Sequence, residues 1–427
     1  MNTHKTINLK NGTRAVLVPV DGTAAVTVMA FYEVGSRYEP SELAGVSHFL
    51  EHLVFKGTKR RPSTMHLARE LDSVGAEYNA YTDRDNTAFY VRLQSDRLDL
   101  AVDMLEDMVY HSLFRTEDIR SEAGVIVEEL RMYDDNPLMA VEETMQEELF
   151  RGSALGRKIG GTPKSVMGMD RKRMLDFRDR FYRPERTVVA IAGNFDERSA
   201  LRLVEAGFGR KRPPRTADRP FRRHRFPHGS RPVFRVVRKE TEQVQVAIGF
   251  PGYPSEHRHS VALRVMANIL GGTMSSRLFL TVRERYGLAY HIQAAAHGFQ
   301  DVGQMAIQAG LSKDGVHRGL DLIMSECRRI ARRPVTAEEL NRAQENIKGR
   351  MTLGLEDSRS MAGWYGRQEL LQRRSITPER RIREVMAVTR EDVQRVAKDI
   401  FRPDRMAVSV IGPFDGQEDF VRHARKL

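Results

Sequence analysis

The sequence predicts an α+β fold built from two homologous halves. Three observations carry this. Short strand-like apolar runs alternate with longer stretches of helical periodicity along the chain. A set of matches recurs at a fixed offset of 219 residues, the distance from Pro184 to Pro403. A basic, proline-rich stretch separates the two copies. At 427 residues, with 41% hydrophobic and 30% charged content, the chain is long enough for two domains with separate cores and has the composition of a soluble globular protein.

In the first half, Arg14–Val20, Ala88–Leu93 and Val188–Ala192 read as strands, and about 96–111, 117–133 and 169–181 as helices. The N-terminal residues lack the basic region, apolar run and small-residue cleavage site of a secretory signal and read as a strand already inside the domain. The repeat is clearest where Phe181-Tyr182-Arg183-Pro184-Glu185-Arg186 runs into TVVAIAGNFD, and Ile400-Phe401-Arg402-Pro403-Asp404-Arg405 runs into MAVSVIGPFD. Val166-Met167 and Val385-Met386 share the register, so several matches in one offset argue for duplication. In the second half, Thr336-x-x-Glu339 and Thr389-x-x-Asp392 open helices with capping-box signals. The division expected is 1–212, a linker over 213–231, and 232–427.

Within this frame, His48-Phe49-Leu50-Glu51-His52 is the stretch that carries chemistry. On a helix, His48 and His52 lie on one face and can aim two imidazoles at one metal ion, with the Glu51 carboxylate beside it. Two imidazoles and a carboxylate suit zinc and an activated water, and H-x-x-E-H inverts the H-E-x-x-H zincin order. Five residues in a chain with 13 histidines can match by chance, so the surroundings must decide. A catalytic zinc needs a third protein ligand. In Glu122–Tyr133, residues Glu122, Val125, Ile126, Glu129 and Tyr133 share one helical stripe, which places two carboxylates on an otherwise apolar, inward-looking face. Carboxylates there need a cation: a metal with Glu129 as ligand and Glu122 behind it, or buried arginines. Glu128 falls about 100° away and reads as a solvated charge.

At this point a resemblance becomes specific. Gly35-Ser36-Arg37-Tyr38-Glu39, Gly45, the pentad, Phe55-Lys56-Gly57-Thr58, Asn79-Ala80 with Thr82, and Asp134-Asp135-Asn136-Pro137 resemble the inverzincin family of pitrilysin, insulin-degrading enzyme and the mitochondrial processing peptidase β subunit. That family carries a glutamate ligand some 75 residues beyond the second histidine and another glutamate seven residues before it; Glu129 and Glu122 match. The resemblance spans nearly the whole chain, and its length points to the half-sized, processing-peptidase-like branch. It implies two α/β-roll domains, each a mainly antiparallel sheet backed by helices. It implies one zinc ion per chain on His48, His52 and Glu129, Glu51 as the base and Glu122 as a catalytic supporting carboxylate. It also implies an edge strand at Glu77, Asn79 and Ala80 to which a peptide adds; Asn79 alone could equally be a turn residue.

Carried back by the repeat offset, His48, Glu51 and His52 meet Ala267, Leu270 and Gly271, so the second half lacks zinc ligands. It contains Arg283 and Tyr290, seven residues apart. On pattern alone Arg283 could pair with Glu284 and Tyr290 could be core. In double-length relatives an arginine and tyrosine at this spacing bind substrate backbone and steady the oxyanion from the partner half. The expectation is therefore a zinc endopeptidase acting on extended or unfolded peptides inside a clamshell chamber, as a homodimer with composite sites. The rival is a non-catalytic scaffold or partner subunit of the same family.

Other classes recede. No apolar run reaches membrane-spanning length. The single cysteine, Cys327, cannot form an internal disulfide, and cytoplasm is the simplest compartment. Much of the basic excess behind the net charge of +12 gathers in 210–225, which also holds Pro213, Pro214 and Pro220, so an extended linker is favoured over a nucleic-acid surface.

Overall fold

The computed structural model describes residues 4–210, 221–226 and 231–427. The repeat is written into its strand order. The first sheet joins β1 (Lys5–Asn8), β2 (Arg14–Pro19), β3 (Ala25–Tyr32), β4 (Glu77–Thr82), β5 (Thr87–Gln94) and β6 (Thr187–Gly193) in the order β1-β2-β6-β3-β5-β4. The second joins β7 (Val233–Arg238), β8 (Gln243–Gly252), β9 (Ala289–Gly298), β10 (Gly303–Ser312) and β11 (Ala407–Gly412) in the order β7-β11-β8-β10-β9. Leaving out β1, the two orders are the same. In each sheet one pair is parallel, β2 with β6 and β7 with β11, and the other neighbours are antiparallel. The helix Arg171–Phe181 recurs as Arg390–Ile400, and the turn Pro184–Arg186 as Pro403–Arg405, at the offset read from the sequence. This is the α+β build of two sheets backed by helices that the sequence predicts.

Contacts divide the chain into two units that do not follow the linker. One comprises 1–130, 157–222 and 352–376; the other comprises 131–156, 223–351 and 377–427. Two segments thus lie with the other half's sheet. The reason is coverage. A sheet wetted on one face reads as alternating, whereas β6 is apolar after Thr187 and wholly buried, so both faces must be packed. In the first unit one face carries α1 (Val46–Leu53), α2 (Thr64–Asp72) and α3 (Leu98–His111), while Met361, Ala362 and Tyr365 of the helix Ser358–Gln372 close the other over Val16, Phe31 and Ala190. Gly366 lets that helix approach: a Cβ there would lie 2.3 Å from the Phe31 ring. After α4 (Thr116–Asp135), α5 (Pro137–Leu149) does the equivalent work in the second unit, laying Val141 and Met145 on Ala247 and Ile411. Losing a buried aromatic such as Phe31 to alanine costs about 3–5 kcal/mol.

Within 213–231, residues 213–220 and 227–230 lie outside the described residues, as does the basic pair Lys211-Arg212. The described part is not simply solvated. Phe221 lies under the Arg37 guanidinium, 3.7 Å from its carbon, and Phe226 packs on Phe150.

Candidate active site

The helix that carries the pentad is short, eight residues, and its start is held from outside. Gly45 precedes it with φ +93°, a conformation that favours glycine, and a Cβ there would meet the Gly160 carbonyl oxygen at 2.5 Å. The Glu39 carboxylate accepts the N–H groups of Gly45 (2.7 Å) and Ser47 (2.8 Å), satisfying free donors at the positive end of α1. Burial pushes Glu39 up to about 7 against those hydrogen bonds. Phe49, Leu50 and Leu53 seat α1 in the core, which turns His48 and His52 to its more open face.

The opposing side chains come from α4. Glu122 and Ile126 are buried on it, but Val125 is half exposed and Tyr133 is not in the core. The inward stripe expected from the sequence is therefore rotated: it runs through Ile119, Glu122, Ala123, Ile126, Val127 and Leu130. The rotation leaves Glu129 at the margin of the core, where a side chain can reach His48 and His52.

Three donor atoms converge there. The Nε2 atoms of His48 and His52 lie 3.3 Å apart, and Glu129 Oε2 is 3.7 Å from the first and 3.5 Å from the second. Ligands at zinc bond lengths on a tetrahedron stand about 3.4 Å apart, so this set fits such an ion. The supporting atoms agree. His52 Nδ1 is 2.9 Å from Glu122 Oε1, which places the ring proton on Nδ1 and leaves Nε2 a lone pair facing the other donors. Lys56 forms an ion pair with the other Glu122 oxygen. Burial, with His52 alongside, pushes His48 down to about 4, so its imidazole is neutral. Burial also opposes charge on His52, yet the Glu122 hydrogen bond and the charges of Glu129, Glu122 and Glu51 hold it above its ordinary value. Glu122 is favoured as a carboxylate: the His52 and Lys56 hydrogen bonds outweigh its burial. Three carboxylates and two imidazoles around one small space call for a cation, and among the described residues these three donors alone group in this way.

Glu51 is largely buried, which raises its pKa, while a hydrogen bond from Thr82 opposes the rise. Thr82 Oγ1 donates to Glu51 Oε2 at 2.5 Å. In the sequence Thr82, Glu39 and Lys56 stand out only as part of the resemblance. Their contacts span 31 residues for Thr82–Glu51 and 66 for Lys56–Glu122, beyond any local pattern.

The segment expected to receive a peptide is an edge strand: among the described residues β4 pairs only with β5. Asp83 donates to Asn86 O at 2.8 Å, and alternation from that pair turns the N–H and C=O of Tyr78, Ala80 and Thr82 to the free edge. The Asn79 side-chain oxygen accepts the Ala80 N–H at 2.8 Å. Glu77 pairs with Arg92, and its side chain is not brought to the histidines. In the second unit, Arg283 lies in the π-helical turn Phe279–Arg285 with its guanidinium carbon 5.2 Å from the Tyr290 ring centre. Tyr290 is 73% exposed near the start of β9, the edge strand of its sheet. The equivalents of the pentad, Ala267, Leu270 and Gly271, are buried in the helix Ser260–Gly271.

A histidine pair and a carboxylate have converging donors that could hold a metal ion, with a second carboxylate behind one ring and a third beside them. The sequence comparisons agree. Residues 15–163 match the family described as insulinase (peptidase family M16), and 168–347 match the peptidase M16 inactive domain. The chain is 34% identical over 421 residues to an uncharacterized zinc protease of Streptomyces coelicolor, covering 98% of this chain and 91% of that one. It is 32% identical to the uncharacterized zinc protease YmxG of Bacillus subtilis, covering 96% and 98%. The fold is similar to that of a protease from Helicobacter pylori, with TM-score 0.91 at 22% identity over 97% of this chain and all of that one. This chain belongs to peptidase family M16, the insulinase family.

Proposed function

We propose that this chain is a zinc-dependent endopeptidase that hydrolyses extended or unfolded peptides. The observation that carries the reading is the convergence of His48 Nε2, His52 Nε2 and Glu129 Oε2 beside Glu51. One zinc ion on these three donors would supply Lewis acidity, polarising a carbonyl and making water acidic near neutral pH. Glu51 takes the proton of the attacking water and delivers it to the leaving amine nitrogen as the C–N bond breaks. Glu122 holds His52 in the tautomer that ligation needs.

The peptide lies along β4 as an added strand, and its carbonyl takes the Ala80 N–H in place of the Asn79 carboxamide. Main-chain pairing of this kind asks little of sequence and requires an extended segment, so folded proteins are poor substrates. Arg283 and Tyr290 complete a site by donating to peptide oxygens and to the developing oxyanion. In the double-length relatives these groups come from the partner half; here they come from a second copy, in a homodimer with two composite sites. The half that supplies them needs no metal ligands of its own, in keeping with the inactive-domain match.

The test is cleavage of an unstructured, internally quenched peptide by the purified chain, its Glu51→Gln variant and a chelator-treated sample. Cleavage in the wild type, with loss of about 10²–10⁴-fold in the variant while zinc is retained, is the expected result. A Glu51→Gln chain as fast as the wild type removes Glu51 from the mechanism. A chain that neither binds metal nor cleaves is a non-catalytic subunit.

A further inference from the structure

Thr82 stands where two parts of the candidate site meet. Its backbone ends the free edge of β4, and its side chain reaches Glu51 on α1. The hydroxyl has three oxygen neighbours: Glu51 Oε2 at 2.5 Å, Ser47 O at 3.5 Å and Thr87 Oγ1 at 3.5 Å. Thr87, its register partner across the turn, gives its own hydrogen to the Val34 carbonyl at 2.9 Å. The direction of the short contact follows. An ionised carboxylate can only accept, and it is much the nearest acceptor to Thr82, so Thr82 donates to Glu51. At 2.5 Å this is in the range of the strong, charge-assisted class.

We propose that Thr82 is a positioning residue for Glu51: it pins Oε2 and leaves Oε1 as the oxygen that takes up and returns the proton. Thr82 also ends the strand along which the peptide lies, so seating of the peptide and alignment of the base meet in one residue. The inference rests on the reading of Glu51 as the base. A carboxylate on a flexible side chain has several rotamers, and misplacement of a reacting group by about 1 Å can cost about 10²-fold in rate. A single donor from a rigid ladder selects one rotamer.

Two substitutions separate the hydroxyl from the shape around it. Thr82→Val keeps the volume and removes the donor; Thr82→Ser keeps the donor. Crystal structures of both variants and the wild type, together with peptide kinetics that include Glu51→Gln, form the test. In Thr82→Val the Glu51 carboxylate is expected to turn away from its wild-type position. kcat should fall at least tenfold with KM within twofold, and Thr82→Ser should restore both orientation and rate. Glu51 unmoved in Thr82→Val, or the same loss in Ser and Val, overturns the proposal. Thr82→Ala replaces the valine variant if that does not fold. If wild type and Glu51→Gln cleave equally, the base reading has failed; the orientation of Glu51 in the crystals then decides the role of Thr82 alone.

Discussion

His52 Nδ1 sits 2.9 Å from Glu122 Oε1, and this one hydrogen bond decides which ring nitrogen looks at His48 and Glu129. Without it the imidazole could carry its proton on Nε2 and present no lone pair to a metal. Supporting carboxylates of this kind are worth about 10–100-fold in metal affinity. Glu122→Ala should therefore weaken zinc binding by that factor, measured by competition with a chromogenic chelator. Glu122→Gln keeps an acceptor for Nδ1 but loses the charge and the ion pair with Lys56, so it should fall between alanine and wild type. Unchanged affinity in the alanine variant would reduce Glu122 to a packing role.

Glu39 gives a prediction with a sign. Its pKa is about 7 in the fold against 4.5 for the free side chain, because burial disfavours the carboxylate more than the two α1 N–H groups favour it. Between those values the folded chain binds the extra proton, so stability falls as pH rises. At about 1.4 kcal/mol per unit, the shift is worth about 3 kcal/mol, present below pH 4.5 and lost above pH 7. Glu39→Gln still offers one acceptor oxygen but does not titrate. In chelator-treated protein, the stability of the variant relative to wild type should improve from pH 5 to pH 8, read from urea midpoints. A difference that is the same at both pH values would mean that Glu39 is ionised throughout.

What the sequence disclosed and what it hid differ in range. His48, Glu51 and His52 are legible because one helical turn fixes their relation. The repeat is legible because Pro184 and Pro403 punctuate equivalent turns. The rotation of α4, which exposes Val125 and frees Glu129, is not legible, since helical periodicity defines a stripe but not the direction it faces. Nor is the grouping of 352–376 with the first sheet: the helix Ser358–Gln372 has apolar residues on several sides, and only the closed sheet shows what it covers. Thr82 and Lys56 were visible as letters of a motif, but their work depends on partners brought together by the sheet and by α4.

Two glycines in that covering helix should respond oppositely to alanine. At Gly366 the added Cβ would lie 2.3 Å from a Phe31 ring carbon and 2.9 Å from Ala190 Cβ, so the helix must lift or the ring must turn. Overpacking of this kind costs about 1–3 kcal/mol. At Gly363 nothing lies within 4 Å, and alanine should stabilise by up to about 1 kcal/mol through helix propensity. Denaturant unfolding of the two variants reads both signs at once. Stabilisation by Gly366→Ala would show that the close approach of helix and sheet is not obligatory.

The composite homodimer can be tested with two crippled chains. Glu51→Gln removes the base, and Tyr290→Phe removes a donor to the oxyanion, a loss of about 10²–10³-fold for such groups. Each variant alone forms two defective sites. If sites form in trans, a mixed dimer contains one site with both lesions and one with neither. Equal mixing makes half the dimers mixed and half of their sites whole, so about a quarter of wild-type activity should return in a closed two-fold dimer. If Arg283 and Tyr290 serve the metal site of their own chain, every site keeps one lesion and no activity returns. Differently tagged chains, co-purified after mixing, establish that exchange has taken place. With exchange shown, recovery supports the trans arrangement, and its absence removes the homodimer as the source of Tyr290.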